Sequence, residues 1–246
     1  MARGLAKSRA QAQALILAGR VQVKGLAAPK AGALVPDEVQ VILKAPPSPF
    51  VSRGGEKLAG ALDHFHVALE GKVTLDVGAS TGGFTHCLLT RGARKVYAVD
   101  VGYGQLDVAL RNDIRVVALE RVNIRHLPRE AIPELIDLAT LDLSFISLTL
   151  VLPKIQEFLR PGGEILAMVK PQFEVGRGQV GKGGVVRDPK LQQEAVQRVA
   201  AAASALGFAV SPGFPAPLKG PKGNQEYFLY LTHPNEPPDS LDNPSD

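Results

Sequence analysis

The chain has little cysteine and no long apolar run, and both shortages restrict what it can be. Cys87 is the single cysteine among 246 residues, so an intramolecular disulfide is impossible, a zinc cluster is not expected, and a reducing compartment is indicated. No stretch approaches the roughly 18 apolar residues of a membrane-spanning helix. The basic N-terminus is followed by a short apolar run at 14–18, which is below the about 7 residues of a signal peptide core. We therefore predict a cytoplasmic protein that does not enter a membrane.

Positive charge is concentrated near the start of the chain. Residues 1–57 carry nine Lys or Arg against three Asp or Glu, although the whole chain has a formal net charge of only +4. Such asymmetry favours a polyanion-binding face in this region. A basic surface that serves only solubility is the alternative.

Four regions of different composition follow one another. Residues 1–45 combine a helix pattern, opened by a capping box at Ser8–Gln11, with short strand patterns, which predicts a small α+β module. The proline-rich segment 46–52 is predicted to be a semi-rigid linker, and residues 53–233 form a large domain. Residues 234–246 hold four acids, four prolines and no Lys or Arg, a composition that indicates disorder.

Strand and helix patterns alternate through the large domain. This alternation predicts an α/β fold, with a Rossmann-like sheet of seven mostly parallel strands, helices on both faces and an antiparallel edge. An alanine-rich helix is predicted at 189–206. The strand patterns lie at 73–77, 95–100, 115–119, 135–143, 164–170, 208–210 and 226–231.

A glycine-rich turn follows the first of these strands, at the position where open α/β sheets bind ligands. The dinucleotide fingerprint requires glycine two residues after Gly78, but Ser80 stands there, and the chain has no Walker-type Gly-Lys-Thr. The turn suits S-adenosyl-L-methionine instead, which carries ribose and adenine without phosphates; a turn that is glycine-rich for packing is the alternative. Asp100 would accept from ribose hydroxyls, and Asn123 would contact adenine. The predicted cofactor-binding residues are Asp76, Gly78, Ala79, Ser80, Thr81, Gly82, Gly83, Phe84, Asp100, Val101, Asn123 and Asp142.

Two lysines and two carboxylates are predicted to converge on one cleft. Lys170 and Asp142 end strands, Glu226 begins the last strand, and Lys57 follows the linker. A lysine that ends a buried strand loses hydration, which favours the neutral amine that a general base requires. The four groups are therefore predicted to hold and deprotonate a sugar hydroxyl, with two structural salt bridges as the alternative.

These motifs together resemble the TlyA family, whose members look like FtsJ-type ribose methyltransferases joined to an S-four-like (alpha-L) RNA-binding domain. The resemblance implies S-adenosyl-L-methionine-dependent 2'-O-methylation of ribosomal RNA, with cytidine as the nucleoside and ribosomal RNA or ribosomal subunits as partners. It assigns the family's catalytic tetrad to Lys57, Asp142, Lys170 and Glu226. Family members begin with a further short segment, so the resemblance implies either an RNA-binding domain shortened at its N-terminus or a misassigned start codon. The motifs that carry the resemblance lie within 8–21 and at 51–58, 76–85, 97–102, 142–148, 170–174 and 223–226.

Basic residues in the N-terminal module and in two later loops are the predicted RNA contacts. The loops at 175–184 and 219–222 are rich in glycine and basic residues and lie close in sequence to Lys170 and Glu226. They are predicted to form a lid or to contact RNA phosphates, with solvated loops as the alternative. The predicted RNA-binding residues are Lys7, Ser8, Arg9, Arg20, Lys24, Arg53, Arg177, Lys182, Lys219 and Lys222.

Two other functions are alternatives to ribose methylation. A hemolysin-like membrane-active protein would need an exposed amphipathic lytic segment, and none stands out in the sequence. A non-catalytic RNA-binding protein would keep the fold without binding the cofactor. His64 and His66 alternate as a metal pair would, but no further ligands lie close to them, so no metal site is predicted.

Overall fold

The computed structural model describes residues 5–6, 9–17, 21–25, 30, 32–43 and 48–234. Lys7, Ser8, Arg20, part of the predicted linker and residues 235–246 of the predicted disordered tail lie outside the described residues. The chain divides into two compact units, residues 1–48 and residues 49–246.

The described residues of the N-terminal unit form one helix and two short strands, α1 (Arg9–Leu17), β1 (Val21–Val23) and β2 (Val41–Leu43). The two strands pair in antiparallel orientation. Val23 is buried, while Arg9 and Lys24 are exposed. The small α+β arrangement that the sequence predicts is therefore present.

The C-terminal unit is built on one eight-stranded sheet with the order β5-β4-β3-β6-β7-β10-β8, in which β9 also pairs with β10. Strands β3 to β7 run parallel to one another, whereas β10 is antiparallel to β7, β8 and β9. The predicted Rossmann-like α/β fold is confirmed, with one strand more than predicted because the short β9 joins β8 along the same side of β10. The strands are β3 (Val73–Val77), β4 (Lys95–Asp100), β5 (Val116–Glu120), β6 (Ile136–Leu141), β7 (Leu159–Val169), β8 (Ala209–Val210), β9 (Phe214–Pro215) and β10 (Tyr227–Thr232).

Helices cover both faces of this sheet. Neighbouring residues of a strand accordingly belong to two separate hydrophobic cores. Tyr97 of β4 packs in one core with Val199 of α7, and Val96 packs in the other with Leu58 of α2 and Leu88 of α3. Such coverage explains why every residue of β3 is buried. The helices are α2 (Arg53–His64), α3 (Gly83–Thr90), α4 (Val108–Arg111), α5 (Leu152–Gln156), α6 (Pro171–Glu174) and α7 (Pro189–Ala205).

The predicted alanine-rich helix is α7, and its start follows the usual chemistry of helix ends. Asp188 caps it by accepting a hydrogen bond from the Lys190 N–H, and Pro189 occupies the first turn. Among the described residues, no helix combines the length and the apolar character needed to cross a membrane.

Candidate active site

The four residues of the predicted tetrad meet at one edge of the sheet. Asp142 and Lys170 come directly after the parallel strands β6 and β7, so they lie at the carboxyl edge. Glu226 comes directly before β10, whose antiparallel direction brings its amino end to the same edge, with Tyr227 paired to Val169. Lys57 reaches this edge from α2, where it is buried.

Two short ion pairs organise the tetrad. Lys57 Nζ donates to Glu226 Oε2 over 2.6 Å, and both residues are buried. Lys170 Nζ lies 2.6 Å from Asp142 Oδ1, but its hydrogen bond goes to Ser144 Oγ at 3.0 Å. Asp142 Oδ1 accepts no hydrogen bond from the described residues. In the second pair, Asp142 Oδ1 is therefore a buried oxygen that lies against the Lys170 amine.

A cavity of about 490 Å³, here called the reaction cavity, is lined by all four tetrad residues. The opposite wall is the glycine turn, through Gly78, Ala79, Ser80, Thr81 and Gly83, together with Phe84 of α3. Its volume lies within the range of small-molecule sites. The Lys170 amine and the predicted cofactor turn thus face the same space.

The glycine turn has the backbone geometry that its sequence demands. Gly78 and Gly82 have φ angles of +87° and +94°, and Ser80 takes a φ of +49°, a region that non-glycine residues rarely occupy. The Ser80 N–H is held by Asp100 Oδ2 at 2.8 Å, and Gly102 N–H by Asp100 Oδ1 at 2.7 Å. Asp100 therefore fixes the turn against the end of β4.

A second cavity of about 490 Å³, here called the nucleoside cavity after its predicted ligand, shares Gly78, Ser80, Asp142 and Ser144 with the reaction cavity. Asp100, Val101, Asn123 and Asp142 all line it, as the sequence predicts for cofactor contacts. The Asn123 side chain also caps a short 3₁₀ helix by accepting from Arg125 N–H. Gly82 and Asp76 line neither cavity.

Asp76 lies behind the turn rather than in a cavity. Its carboxyl group is fully buried and accepts hydrogen bonds from Thr85 Oγ1 at 2.7 Å and Thr140 Oγ1 at 3.1 Å. Burial raises the pKa of Asp76 to about 7, with a smaller upward effect from the charge of Asp142 and an opposing one from Thr85. Asp76 thus links β3 to α3 and β6 from beneath the site.

The raised pKa of Asp76 makes stability depend on pH. Since the folded pKa lies above the ordinary value of 3.8, the stabilisation is complete below about pH 4 and is lost as pH rises through about 7. We expect the free energy of unfolding of the wild type to fall across this window, relative to Asp76→Asn, by on the order of 4 kcal/mol. Urea unfolding of both proteins from pH 4 to pH 8 checks this. A difference that does not change with pH would contradict it.

Several residues at the site were not predicted from the sequence. Phe145 is 90% exposed, has a φ of +66°, and contacts the ring of Phe173 with centroids 5.0 Å apart. The loop that carries it is held by Glu174, which accepts from Ser147 Oγ at 2.6 Å and Leu148 N–H at 2.9 Å. The sequence signals for these residues were their position shortly after Asp142 and Lys170 and their place in the motifs at 142–148 and 170–174.

The predicted RNA-binding residues of the C-terminal unit lie near the reaction cavity or on adjoining loops. Arg53 lines the cavity and donates through Nη2 to the Lys219 carbonyl at 2.9 Å. Lys182, Lys219 and Lys222 are exposed. The side chain of Arg177, like Lys7, Ser8 and Arg20, lies outside the described residues.

Comparison with known proteins identifies the family. The sequence model of the FtsJ-like methyltransferases matches residues 50–233, which is well over half of the chain. The chain belongs to the FtsJ-like methyltransferase family. Its structural features agree with this membership, since the matched residues contain the whole sheet and both cavities.

Within this FtsJ-like family, the chain is similar to proteins named TlyA. The 16S/23S rRNA (cytidine-2'-O)-methyltransferase TlyA of Mycobacterium tuberculosis is 52% identical over 230 residues, which cover 93% of this chain and 86% of the relative. The resemblance to the TlyA family is therefore confirmed, and the chain is a methyltransferase by family.

Other relatives carry a different name. Hemolysin A of Brachyspira hyodysenteriae is 40% identical, with 93% of this chain and 95% of the relative covered. A solved structure of a Streptococcus thermophilus protein that bears the hemolysin name is 40% identical with a TM-score of 0.77, covering 98% of this chain and 88% of that one. The two names therefore occur among proteins that are similar to this chain over nearly its whole length.

Proposed function

We propose that this FtsJ-like enzyme transfers a methyl group from S-adenosyl-L-methionine to the 2'-hydroxyl of a ribose in ribosomal RNA, with cytidine as the nucleoside. The observation that carries the proposal is the single cavity that the tetrad shares with the glycine turn. The name of the Mycobacterium tuberculosis relative supports the choice of substrate. An rRNA substrate and the lone buried thiol, Cys87, both favour a cytoplasmic enzyme.

The nucleoside cavity fits the cofactor by its chemistry. Val122 and Ile124 give it apolar walls, and the Asp100 carboxylate offers an acceptor for ribose hydroxyls. The N–H groups of Ser80 and Gly102 are already bound by Asp100, so the turn suits a ligand without phosphates. When bound, S-adenosyl-L-methionine supplies an activated methyl group. Positioning is then expected to provide much of the rate.

Lys170 and Asp142 would accept the proton that the 2'-hydroxyl loses. The Lys170 amine, 2.6 Å from Asp142 Oδ1 and 3.0 Å from Ser144 Oγ, would act as the general base, and the Asp142 carboxylate would stabilise the ammonium ion that forms when the amine takes the proton. A hydroxyl oxygen binds its proton less tightly as it becomes methylated, so the pair can accept the proton late in the reaction. Lys57 and Glu226 form a buried ion pair that also lines the reaction cavity. This pair would hold the ribose in position and balance the charge around it.

Exposed cations would bind the RNA backbone. Arg9 and Lys24 on the N-terminal unit are exposed, as are Lys182, Lys219 and Lys222 on the C-terminal unit. Lysine and arginine contacts to phosphates give affinity without base specificity. The ribose must leave a base-paired stack to reach a cavity, so an accessible or flipped nucleotide is the expected target.

Mapping of the methyl mark tests the proposal. Purified protein, labelled cofactor and ribosomal subunits are expected to yield 2'-O-methylcytidine at defined positions by mass spectrometry, and no transfer to a matched RNA with 2'-deoxycytidine at those positions. Isothermal titration with the cofactor alone distinguishes the proposed enzyme from a non-catalytic RNA-binding protein. No heat at millimolar ligand would favour the non-catalytic protein. Leakage from liposomes caused by lipid-free protein would favour the membrane-active alternative.

A further inference from the structure

Two basic segments beside the reaction cavity are joined by the buried side-chain amide of Asn224. The cationic hairpin, residues 181–187, is closed by an antiparallel bridge between Gly181 and Val185. Asn224 is 3% exposed and binds this hairpin twice. Its Oδ1 accepts from Val186 N–H at 2.9 Å, and its Nδ2 donates to the Gly184 carbonyl at 2.9 Å. Both ends of the Asn224 amide are therefore used to hold the hairpin.

The segment that carries Asn224 also covers the tetrad. This roof loop, residues 219–224, closes with a hydrogen bond from Gly220 N–H to the Asn224 carbonyl at 2.9 Å. A Cβ atom on Gly220 would lie only 2.6 Å from Glu226 Oε1. The loop backbone therefore rests directly on the Glu226 carboxylate. One short segment thus contacts the tetrad on one side and the cationic hairpin on the other.

The hairpin and the roof loop present unpaired positive charge. Lys182 and Arg187 on the hairpin and Lys219 and Lys222 on the loop are exposed. None of the four forms an ion pair with a carboxylate in the part of the chain that the structure describes. Exposed cations without acidic partners are suited to the phosphates of an RNA strand.

We propose that Asn224 is a positioning residue that fixes the cationic hairpin relative to Glu226, so that RNA phosphates bound by the hairpin bring a ribose to the reaction cavity. The inference rests on the proposed function. Asn224 does not need to touch RNA or cofactor in this role, because it acts through Lys182, Arg187 and the roof loop. Its loss should therefore weaken RNA binding and leave cofactor binding unchanged.

A double-mutant cycle on RNA affinity tests this role. The full-length protein, Lys182→Ala, Asn224→Ala and the double variant are titrated with an rRNA fragment at several salt concentrations. Lys182→Ala alone is expected to weaken binding and to make the slope of log K against log salt shallower by about 0.7 to 0.9, the value of one phosphate contact. In the Asn224→Ala background the same change should have little further effect, because the hairpin is no longer fixed. Additive effects of the two changes would overturn the proposal.

Matched controls and a second variant keep the test decisive. Asn112→Ala and Lys190→Ala alter an exposed asparagine and an exposed lysine and should change neither affinity nor slope. Asn224→Asp keeps the side-chain shape and the acceptor for Val186 but loses the donor to Gly184. If Asn224→Ala does not fold, the same cycle with Asn224→Asp decides the question. A wild type that neither binds rRNA nor methylates it refutes the proposed function, whereas an active wild type with an additive cycle refutes only the role of Asn224.

Discussion

Lys170→Ala is expected to reduce methyl transfer by about 10²- to 10⁴-fold, which is the range that a positioned general base supplies. The amine lies 2.6 Å from Asp142 and 3.0 Å from Ser144 in the reaction cavity, and alanine removes both contacts. Single-turnover transfer of labelled methyl groups to rRNA measures the loss. Cofactor affinity by isothermal titration should stay close to that of the wild type.

Lys170→Arg separates proton transfer from charge alone. Arginine keeps the positive charge beside Asp142 but does not give up its proton in proteins, so this variant should be nearly as inactive as Lys170→Ala. Lys190→Ala, on the exposed start of α7, is the control and should keep full activity. Wild-type turnover by Lys170→Ala would rule out the base, and wild-type turnover by Lys170→Arg would limit Lys170 to an electrostatic role.

Glu226→Ala is expected to lower the free energy of unfolding by about 3–5 kcal/mol, the cost of leaving a buried charge without its partner. Lys57 and Glu226 are 7% and 2% exposed, and their side chains are joined over 2.6 Å. Removing the carboxylate leaves the largely buried Lys57 ammonium group without its partner. Urea unfolding at constant pH measures the change. Asp63→Ala breaks an exposed pair with Arg91 and should cost no more than about 1 kcal/mol.

The double variant Lys57→Met with Glu226→Leu distinguishes structure from chemistry. Apolar side chains of similar volume commonly replace a buried ion pair without loss of stability, so most of the stability lost in Glu226→Ala should return. Methyl transfer should not return, because neither replacement can hold a ribose hydroxyl. An active double variant would show that the pair serves only the fold.

The part of the site that was predictable from sequence follows from the direction of the strands. Parallel strands end at one edge, so Asp142 after β6 and Lys170 after β7 had to be neighbours once the alternating pattern was read correctly. The same alternating pattern predicted the seven main strands. Lys57 was predicted in the site only from its position after the linker and from the family resemblance, because α2 was not predicted. Gly54, Gly55 and Gly60 lower the helix propensity of that segment, and burial against α3 compensates.

Other features depend on tertiary contacts that local sequence does not record. Strand β7 begins at Leu159, before the Pro161-Gly162-Gly163 stretch that reads as a turn, because pairing with β6 continues across an irregularity in register. Ser80 adopts its positive φ because Asp100, twenty residues later, holds its N–H. Asn224 gains its importance from Gly184 and Val186, which lie almost forty residues earlier.

The late position of β10 in the chain has a consequence for folding during translation. Glu226 and its partner Lys57 are separated by 169 residues, and β10 is inserted between β7 and β8 rather than added at an edge. During synthesis the first half of the sheet can form early, but the four tetrad residues cannot meet until Glu226 has left the translating ribosome. In the proposed mechanism, a nascent chain therefore cannot modify RNA before β10 has paired with β7.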